Sequence, residues 1–485
     1  MKARWFGMSV VLLSGCAVGP DYVEPDFGDD IEWSDRVDGL QSSDTLGADW
    51  WRVFDDENLD SYITAALENN RELQAAIARV DAALAGRAAA NGARLPSLLL
   101  DVRYTQFEQS IESPQSAGPL IQAGVIPRDG SFYNSSVLAG WELDLAGQLK
   151  RRAEAADAAF GAQLELADGV ALQVAAETAA AYLDWQGFSA RAGIARRNVA
   201  LQTESLQIIE GKVRLGLSRR LDETRARAEL GRLQATVPQL EAAAEAARQR
   251  LALLTGASAT ALPKAVPGVL PALPDAVPVG TPADVLRRRP DVRAAERLLA
   301  RSVAEVGAAT AAFFPTLSLN ASGGFEAAEF ATLGNGDARL FGIVPFVRWP
   351  IFQGGQLRAA LDAADANRAA ALADYEQAVL RALADTESAV AAYAGARSAA
   401  ARLDDAVTAA TESESLARKL YVQGLTDYLT LLDAQRQLAA IEDAELATNV
   451  SAAQSAITLY RALGGGWPAW QESNKPSPTP TAGTR

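Results

Sequence analysis

The sequence predicts an α+β membrane protein, a trimeric twelve-stranded β-barrel to which each chain gives four strands, continued by a long α-helical barrel. Three observations in the 485 residues predict this fold class. The chain contains an internal duplication, and each copy contains two segments in which apolar and polar residues alternate. Each copy also contains a very long alanine-rich stretch without proline. Alternation with period two is typical of strands, whereas apolar residues at helical spacing indicate helices.

The first residues have the layout of a secretory signal peptide. Two basic residues precede an apolar run at 5–13 that is too short to cross a bilayer, and small residues follow it. The Leu-Ser-Gly sequence before Cys16 resembles the bacterial lipobox, in which the cysteine becomes the acylated first residue of the mature chain. We therefore expect a lipoprotein signal peptide at 1–15 and lipid on Cys16; the alternative is a chance cysteine in a discarded signal. Ala17, in place of an aspartate, favours sorting to the outer membrane.

Composition argues against an enzyme. The chain has no histidine and one cysteine, so the usual general base is missing and neither a disulfide nor a thiolate metal site can form. Nucleophile-elbow, phosphate-loop, dinucleotide-binding and metal-ligand motifs are all absent from the sequence. Adjacent carboxylates such as Asp404 and Asp405 are typical of a solvated face in a chain with 60 acidic residues. We expect no catalytic site, no metal and no cofactor.

The net charge argues against a nucleic-acid partner. It is −15 at neutral pH, and it becomes −17 when Lys2 and Arg4 leave with the signal peptide. Such a surface repels nucleic acid and favours cationic or neutral partners. Beyond the signal peptide no apolar stretch reaches about 18 residues, so strands have to make any membrane crossing.

Internal repetition organises the rest of the chain. The stretch NRELQAAIARVDAALAGRAAANGARLPSLLLDV aligns with RPDVRAAERLLARSVAEVGAATAAFFPTLSLNA, which places Pro96 on Pro315. Further on, GQLKRRAEAADAA aligns with GQLRAALDAADAN, so the chain holds two copies of one structural unit. The predicted segments after the signal peptide are an N-terminal segment at 16–69, a first repeat at 70–255, an extended proline-rich connector at 256–288, a second repeat at 289–466 and a polar, disordered tail at 467–485.

Each repeat begins with an amphipathic helix, expected at 72–91 and 292–312, and continues into alternating segments. The apolar face of the first segment is predicted to carry Leu98, Leu100, Val102 and Tyr104, and that of its counterpart Leu317, Leu319 and Ala321. A loop, longer in the first copy around 113–130, leads to a second alternating segment near Trp141 or Trp349, where an interfacial girdle would lie. The alternative is a soluble β-hairpin packed on a core.

A long helical rod and a helical hairpin follow the strands of each copy. From 148 to about 214, and from 356 to about 423, alanine dominates and proline is absent, so each stretch can form a rod of about 100 Å. A compact core does not need such rods, which bury their alanine stripes only against each other. Gly216 and Gly424 end the rods, and we expect positive φ at both, in a turn at the far tip of a hairpin.

The number of strands sets the number of chains. Four strands cannot close in lipid, because transmembrane barrels begin at about eight strands and an open edge is prohibitive. Two chains would give eight strands around an interior filled by side chains, whereas three would give twelve strands around an aqueous bore. The polar inner faces favour three chains, whose helices would continue the bore beyond the bilayer.

Three motifs carry a resemblance to a known family. They are WWRVFDDENLDSYITAALENNRELQAAIARV from Trp50, LRRRPDVRAAERLLARSVAEVGAATAAFFPTLSL from Leu286 and YVQGLTDYLTLLDAQRQL from Tyr421. They resemble the outer-membrane efflux proteins of the TolC type, in the lipoprotein branch that serves resistance-nodulation-division pumps. The resemblance implies a homotrimer, lipid-anchored in the outer membrane and extending into the periplasm. The N-terminal segment, connector and C-terminus would form a mixed equatorial belt. It also implies two partners, a periplasmic adaptor and, through it, an inner-membrane transporter.

The resemblance further implies a gate and docking turns at the periplasmic tip. The residues that match the family's gate are Leu429, Asp433 and Arg436, which share one helical face. Without the family context they make one apolar contact and an i,i+3 ion pair. The turns predicted to dock the adaptor are Gly216, Leu217 and Ser218 in the first copy and Gly424, Leu425 and Thr426 in the second. The chain departs from the family in having Val422 and Gln423 where a basic residue is common, and in a first tip rich in arginine, with Arg219, Arg220, Arg225 and Arg227.

The function predicted from these features is a passive exit duct for an efflux pump that exports small toxic compounds across the outer membrane. Within the same class, the alternative is the outer-membrane duct of a type I protein secretion system. From a different class comes a non-conducting scaffold lipoprotein that uses its rods as spacers across the envelope. A hydrolase is disfavoured by the missing histidine and nucleophile motifs.

Overall fold

The chain folds into two compact units, each of which is described by itself. The computed structural model describes residues 17–25, 33, 40–41, 49–112, 118–258, 260, 262, 266–274 and 277–465. The predicted signal peptide at 1–15, Cys16 and the predicted tail at 467–485 lie outside the described residues. Unit 1 comprises Met1–Pro25, Asp81–Gly161 and Glu296–Ala373, and unit 2 comprises Asp26–Val80, Ala162–Ala295 and Asp374–Arg485.

Helices dominate the described residues. The helices are α1 (Glu57–Asn69), α2 (Arg71–Gly92), α3 (Gly118–Gln122), α4 (Gln148–Arg214), α5 (Arg220–Leu254), α6 (Pro282–Arg288), α7 (Pro290–Ala311), α8 (Gln356–Val422) and α9 (Tyr428–Ala462). The strands are β1 (Leu40–Gln41), β2 (Ser97–Glu108), β3 (Asp129–Leu143), β4 (Val277–Pro278), β5 (Thr316–Ala327) and β6 (Arg339–Arg348). Within the part of the chain that the structure describes, none of the helices combines the length and apolarity that a transmembrane helix requires.

Most corresponding elements of the two predicted repeats have equal lengths; the second strands are an exception, with 15 residues in β3 and 10 in β6. The helices α2 and α7 have 22 residues each, and the strands β2 and β5 have 12 each. The predicted rods are confirmed as α4 and α8, both of 67 residues, and the helices that follow them, α5 and α9, both have 35. Alanine and the absence of proline let each rod run without a break until a glycine turn ends it.

Unit 1 contains an antiparallel sheet in the order β2-β3-β5-β6. The register places Leu100 opposite Val137, Val137 opposite Gly323 and Gly323 opposite Phe341. Because side chains alternate along a strand, these pairs lie on one face of the sheet. That face carries Leu98, Leu100, Val102 and Tyr104 of β2, Val137, Ala139 and Trp141 of β3, Leu317, Leu319 and Ala321 of β5, and Phe341, Ile343 and Val347 of β6. The predicted apolar faces therefore join into one, and β2 and β6 form the two edges of the sheet.

Two tryptophans at the ends of strands make equivalent hydrogen bonds in the two copies. Trp141 Nε1 donates to the carbonyl oxygen of Arg94 at 3.1 Å, and Trp349 Nε1 donates to that of Phe313 at 3.0 Å. Both acceptors lie in the loop between a helix and the strand that follows it. Each indole therefore fixes the entry of one strand to the end of its neighbour.

The segment at 17–25 is held in unit 1 by a buried guanidinium. The side chain of Arg151, in the first turn of α4, is only 5% exposed. It donates to the carbonyl oxygens of Val18 at 3.3 Å and Gly19 at 3.4 Å, and to a carboxylate oxygen of Asp21 at 2.7 Å. A buried cation needs such acceptors because it has lost its water. We call residues 17–25 the N-terminal strap.

Large aromatic side chains form the main core of unit 2. Trp50 is 2% exposed and stacks on Tyr460 of α9, with 5.4 Å between the ring centroids. Tyr62 of α1 packs against Tyr182 of α4, with 5.5 Å between their rings. The Asp56 carboxylate caps α1 by accepting the backbone N–H groups of Asn58 and Leu59, and it also accepts the Tyr182 hydroxyl at 2.8 Å. Residues 49–69 of the predicted N-terminal segment are thus packed on α4 and α9, and they include a helix, α1, that was not predicted from the sequence.

The connector predicted to be extended at 256–288 contains a helix at its end. α6 begins after Thr281, whose hydroxyl accepts the backbone N–H of Asp284 at 3.2 Å while the Asp284 carboxylate accepts that of Thr281 at 3.1 Å. This capping box, with Pro282 in the first turn, favours a helix start that the proline count concealed. The loop predicted around 113–130 likewise contains the short helix α3.

We predict that Gly187→Ala destabilises the packing of α4 on α9. A Cβ at Gly187 would lie 2.5 Å from Cγ2 of Val450, a short and stiff side chain. The overpacking should cost about 1–3 kcal/mol and lower the thermal unfolding midpoint of the purified protein. In the control, Gly193→Ala, the new Cβ meets no neighbouring atom within 4 Å and should stabilise the same helix by about 0.5–1 kcal/mol. Equal stability of the two variants would contradict this close contact.

Candidate functional site

The two rods of unit 2 end in turns of the same geometry. Gly216 has φ of 72° and Gly424 has φ of 75°, which confirms the positive φ expected at both. The N–H of Gly216 donates to the carbonyl of Val213 at 3.0 Å, and the N–H of Leu217 donates to that of Lys212 at 2.8 Å. The equivalent bonds of the second copy measure 3.1 and 2.9 Å. Both turns are Schellman motifs, which need a residue that tolerates a left-handed conformation.

Both turns expose apolar side chains. The exposed fractions are 75% for Leu215, 73% for Leu217, 72% for Val422 and 70% for Leu425. Ser218 donates its hydroxyl to Asp222 at 3.2 Å, and both Ser218 and its counterpart Thr426 are partly buried. A cluster of exposed apolar side chains is typical of a surface that binds a partner. Docking at these turns stays a prediction.

Behind the turns, the two hairpins of one chain pack together. Tyr428 of α9 is 2% exposed, and its hydroxyl accepts the side-chain amide of Gln202 in α4 at 3.1 Å. The ammonium of Lys212 lies 4.0 Å from the ring centroid of Tyr421. Such a cation–π contact supplements the apolar cluster around Ile209. The tips of the two copies therefore form one packed unit within the chain.

The three predicted gate residues lie on α9 but have different partners. Leu429 is 47% exposed, and the exposed Asp433 accepts the side-chain amide of Gln437 at 3.2 Å. The i,i+3 ion pair between Asp433 and Arg436, which was expected without the family context, is not formed. Arg436 instead donates to Glu229 Oε2 at 2.9 Å from Nε and 2.6 Å from Nη2. The carboxylate of Glu229 is only 3% exposed, so it attracts a guanidinium more strongly than the hydrated Asp433 does.

Glu229 of α5 binds two arginines, Arg232 on its own helix and Arg436 on α9, and the second of these joins the two helices. Its Oε1 accepts Arg232 at 2.5 Å, and its Oε2 accepts Arg436 at 2.6 Å. Glu229 was not predicted from the sequence, although a signal was present. Glu229 lies at helical spacing between the buried Ala226 and Leu240, so it places a carboxylate on the apolar stripe of α5. A charged residue on such a stripe requires a partner from a neighbouring helix.

The two arginines keep Glu229 ionised. Burial raises the pKa of its carboxyl group, but the hydrogen bonds and charges of Arg232 and Arg436 outweigh that effect and hold the pKa below the ordinary value of 4.5. The carboxylate is therefore negative at neutral pH, and the link between α5 and α9 is charge-assisted.

The sheet of unit 1 presents a second surface of functional interest. On its continuous apolar face Leu98 is 75% exposed, Val102 70% and Phe341 84%. The opposite face is mixed: it includes Leu99 and Leu138, but it also carries a polar network in which Ser136 donates to Asn134 at 2.7 Å and Asn134 donates to Glu326 at 3.3 Å. An exposed apolar face of this size marks a surface that meets lipid or another protein.

A four-stranded sheet with one apolar face, on a chain dominated by long helices, is the architecture of TolC-type outer-membrane channels. The solved structure of the outer-membrane channel OprN superposes with a TM-score of 0.85 at 35% identity, over 93% of this chain and 100% of that chain. The CmeC outer membrane channel of Campylobacter jejuni gives a TM-score of 0.85 at 21% identity, over 93% of this chain and 95% of that chain. The second likeness concerns the fold alone.

Sequence comparisons point the same way. Residues 62–257 and 281–465 match the family described as outer membrane efflux protein. The toluene efflux pump outer membrane protein TtgF of Pseudomonas putida is 31% identical over 481 residues, which cover 96% of this chain and 98% of that protein. Outer membrane protein OprJ of Pseudomonas aeruginosa is 31% identical over 473 residues, which cover 96% and 97%. The chain belongs to the outer membrane efflux protein family.

The family membership confirms the predicted class of function. The protein is an outer-membrane efflux channel that extends into the periplasm, and its relatives are outer-membrane components of efflux pumps. Members of the family are channels and not enzymes, which agrees with the missing catalytic motifs. Cys16, predicted to carry lipid, lies outside the described residues, and its modification stays a prediction.

We predict that Glu229 makes the stability of unit 2 depend on pH. Its pKa is lowered in the folded chain, so its contribution is complete at neutral pH and is lost as the pH falls below about 4.5. Glu229→Gln should abolish this part of the pH dependence and lower the neutral-pH free energy of unfolding by about 1–2 kcal/mol. Denaturant unfolding of the purified protein at several pH values measures both effects.

The control for this prediction is Glu241→Gln on the same helix. Glu241 pairs with Arg196, and both side chains are about half exposed, at 47% and 59%. An exposed pair contributes less than about 1 kcal/mol, so this variant should resemble the parent. Parallel behaviour of the two glutamine variants would show that Glu229 has no special role.

Proposed function

We propose that three copies of the chain form an exit duct through which a tripartite pump expels small toxic compounds. The observation that carries the proposal is the four-stranded sheet, with β2 and β6 at its edges and an exposed apolar face. In hydrocarbon an unpaired edge leaves backbone groups without hydrogen bonds, at a cost of several kcal/mol each. Pairing of β6 with β2 of the next chain removes both edges.

Three chains suit the mixed face of the sheet better than two. That face carries Asp101, Arg103 and Glu326, with Arg103 donating to Asp101 at 3.2 Å. Two chains would give a barrel of about eight strands, whose interior is filled by side chains. Three chains give about twelve strands and leave room for the water that such charges need.

We infer that the two repeats arose by duplication and take equivalent places in the duct. Equal lengths of the paired helices, 67 residues for α4 and α8 and 35 for α5 and α9, support this inference. The equivalent hydrogen bonds of Trp141 and Trp349 support it as well. Three chains would then present six similar hairpins around one axis.

The tip turns are proposed to dock a periplasmic adaptor, which in turn binds an inner-membrane transporter. Support comes from the exposed leucines beside Gly216 and Gly424 and from relatives named as outer membrane components of pumps. The relative TtgF is named for toluene, which favours small apolar compounds as cargo here. A lipid on Cys16 would add an anchor to a protein already held by its strands.

The gate is proposed to close at the tip of the second-copy hairpins. Leu429 forms an apolar constriction, and Asp433 contributes to a ring of three carboxylates near the axis. Arg436 ties α9 to α5 through Glu229 in the same chain. Like charges at one level repel each other, so the ring needs compensating cations and favours cations in the pore.

Two measurements test the duct. Deletion of the protein should raise sensitivity to several unrelated small toxic compounds, whereas loss of export of a single polypeptide would indicate type I secretion. The purified protein should show single-channel conductance in a planar bilayer. A protein that inserts without conducting would support the envelope scaffold instead.

We predict that replacing both Asp433 and Arg436 with alanine opens the pore. The trimer should remain intact while conductance rises and cation preference weakens, because the carboxylate ring and the tie to Glu229 are both lost. Cells with this variant should admit bulky antibiotics that the outer membrane normally excludes. The matched control replaces the exposed Arg402 and Asp405 of α8 with alanine and should conduct like the parent. Identical conductance of both variants would move the gate to another site.

We predict that Cys16→Ser blocks lipoprotein processing. Uncleaved precursor should accumulate, because the acylated thiol is the group on which processing depends. Intact-mass measurement of the membrane fraction detects the retained residues 1–15. The control, Ala17→Ser, keeps the cysteine and should mature normally. A parent protein that begins at another residue and carries no lipid would overturn the lipoprotein assignment.

A further inference from the structure

The two tip turns have the same backbone but differ in the charge of the nine residues around each glycine. We propose that the first tip is a docking site for an acidic protein surface, in which an apolar side chain is flanked by carboxylates. The proposal rests on the proposed function, in which both tips face a periplasmic adaptor, and it adds the chemistry of the surface that the adaptor must present. The second tip would accept only the apolar part of such a surface.

The charge difference is seen position by position. Residues 212–220 read KVRLGLSRR and the equivalent residues 420–428 read LYVQGLTDY. The first stretch has four cations and no carboxylate, whereas the second has one carboxylate and no cation. Arg219 stands where the second copy has Asp427, which is a direct reversal of charge. The duplication therefore kept the glycine turn and changed the charge around it.

Of the arginines near the first tip, three are available to bind a partner. Arg227 is occupied, since it pairs with Glu223 at 2.7 Å and with Glu210 at 3.2 Å. The exposed side chains of Arg214, Arg219 and Arg220 pair with no carboxylate of the described residues. Unpaired cations on one exposed turn produce a positive local potential on a chain whose net charge is −15.

Arg219 also occupies the N-cap position of α5, where its side chain makes no capping hydrogen bond. Asp427, its counterpart, caps α9 by accepting the N–H of Thr430 at 3.0 Å and its hydroxyl at 2.8 Å. Arg219 precedes α5 without a side-chain cap. Loss of a cap costs a helix about 1 kcal/mol. A residue that lowers the stability of its own helix, with no compensating contact there, is typical of a functional position.

The surroundings of the arginines favour a protein over a phosphate-bearing lipid. Leu215 and Leu217 are 75% and 73% exposed and lie on either side of Gly216, with Arg214 and Arg219 next along the chain. An apolar centre with an arginine rim is the composition of a protein–protein interface. Val422 and Leu425 give the second tip the same apolar centre without that rim.

A consequence follows for a partner that binds as several identical copies. Each copy would carry the same carboxylates, which meet arginines at the first tip and Asp427 at the second. Attraction at the first tip, with no unpaired arginine to match it at the second, divides the docking positions into a strong and a weak class. Charges at an interface rim act mainly on association and specificity, so the difference should be salt-dependent.

The test uses two synthetic hairpin peptides and the full-length protein in detergent. Both peptides are disulfide-closed helical hairpins with leucine at the turn, flanked by glutamates in one and by glutamines in the other. Fluorescence anisotropy measures their binding to the parent, to Arg219→Gln/Arg220→Gln and to a control with the exposed Arg381 and Arg402 of α8 changed to glutamine. Conductance of each protein is recorded separately, so a failed duct is distinguished from failed docking.

The parent and the control should bind the glutamate peptide about tenfold more tightly than the glutamine peptide at low salt. The preference should disappear in Arg219→Gln/Arg220→Gln and at about 0.3 M salt, while conductance stays unchanged. Equal binding of the two peptides by the parent would overturn the proposal, as would a preference that survives in the double variant. Displacement of the glutamate peptide by phosphatidylglycerol vesicles would also overturn it and identify a lipid phosphate as the ligand.

Discussion

Close packing of small residues along the rods is the constraint on which unit 2 depends. Ala171, Ala175 and Ala179 of α4 are buried to 3%, 2% and 0% exposure. Alanine has little apolar surface, so each contact contributes little, and only a close approach repeated over many turns gives enough dispersion energy. The contact of Gly187 with Val450 is one such approach. Aromatic side chains then fix the register of the rods, at the main core and again at the tips.

The sequence predicted the parts of the fold that depend on local physics. Long runs without proline predicted both rods, alternation predicted the apolar sheet face, and Gly216 and Gly424 predicted the turns. Contacts between residues that are distant in sequence could not be predicted in this way. Arg436 has a carboxylate three residues away on its own helix, yet it binds Glu229, which is 207 positions distant in sequence. Burial decides between the two acceptors, and burial is known only once α5 and α9 are packed.

A second buried arginine, Arg289, begins the RPDV stretch at the start of the second repeat and connects three elements of unit 2. Arg289 has a side chain that is 10% exposed and donates to Asp291 at 2.7 Å, to Asp385 of α8 at 3.1 Å and to the carbonyl of Ala462 at 3.2 Å. One guanidinium thus links the end of the connector, a rod and the last turn of α9. Its five donors suit this role, which a lysine could not fill.

The hydrogen bonds of Arg151 to the N-terminal strap have a consequence for a lipid attached to Cys16. Val18 and Gly19 are fixed by hydrogen bonds, and Cys16 precedes Val18 by two residues. An extended residue spans about 3.5 Å, so a lipid on Cys16 would be tethered within about 7 Å of a fixed point. An acyl chain on a long flexible linker explores a wide volume, so it places little restriction on the position of the protein relative to the membrane. On this strap a lipid would instead act as a short tether, and it would restrict both the depth and the rotation that unit 1 can adopt at a membrane.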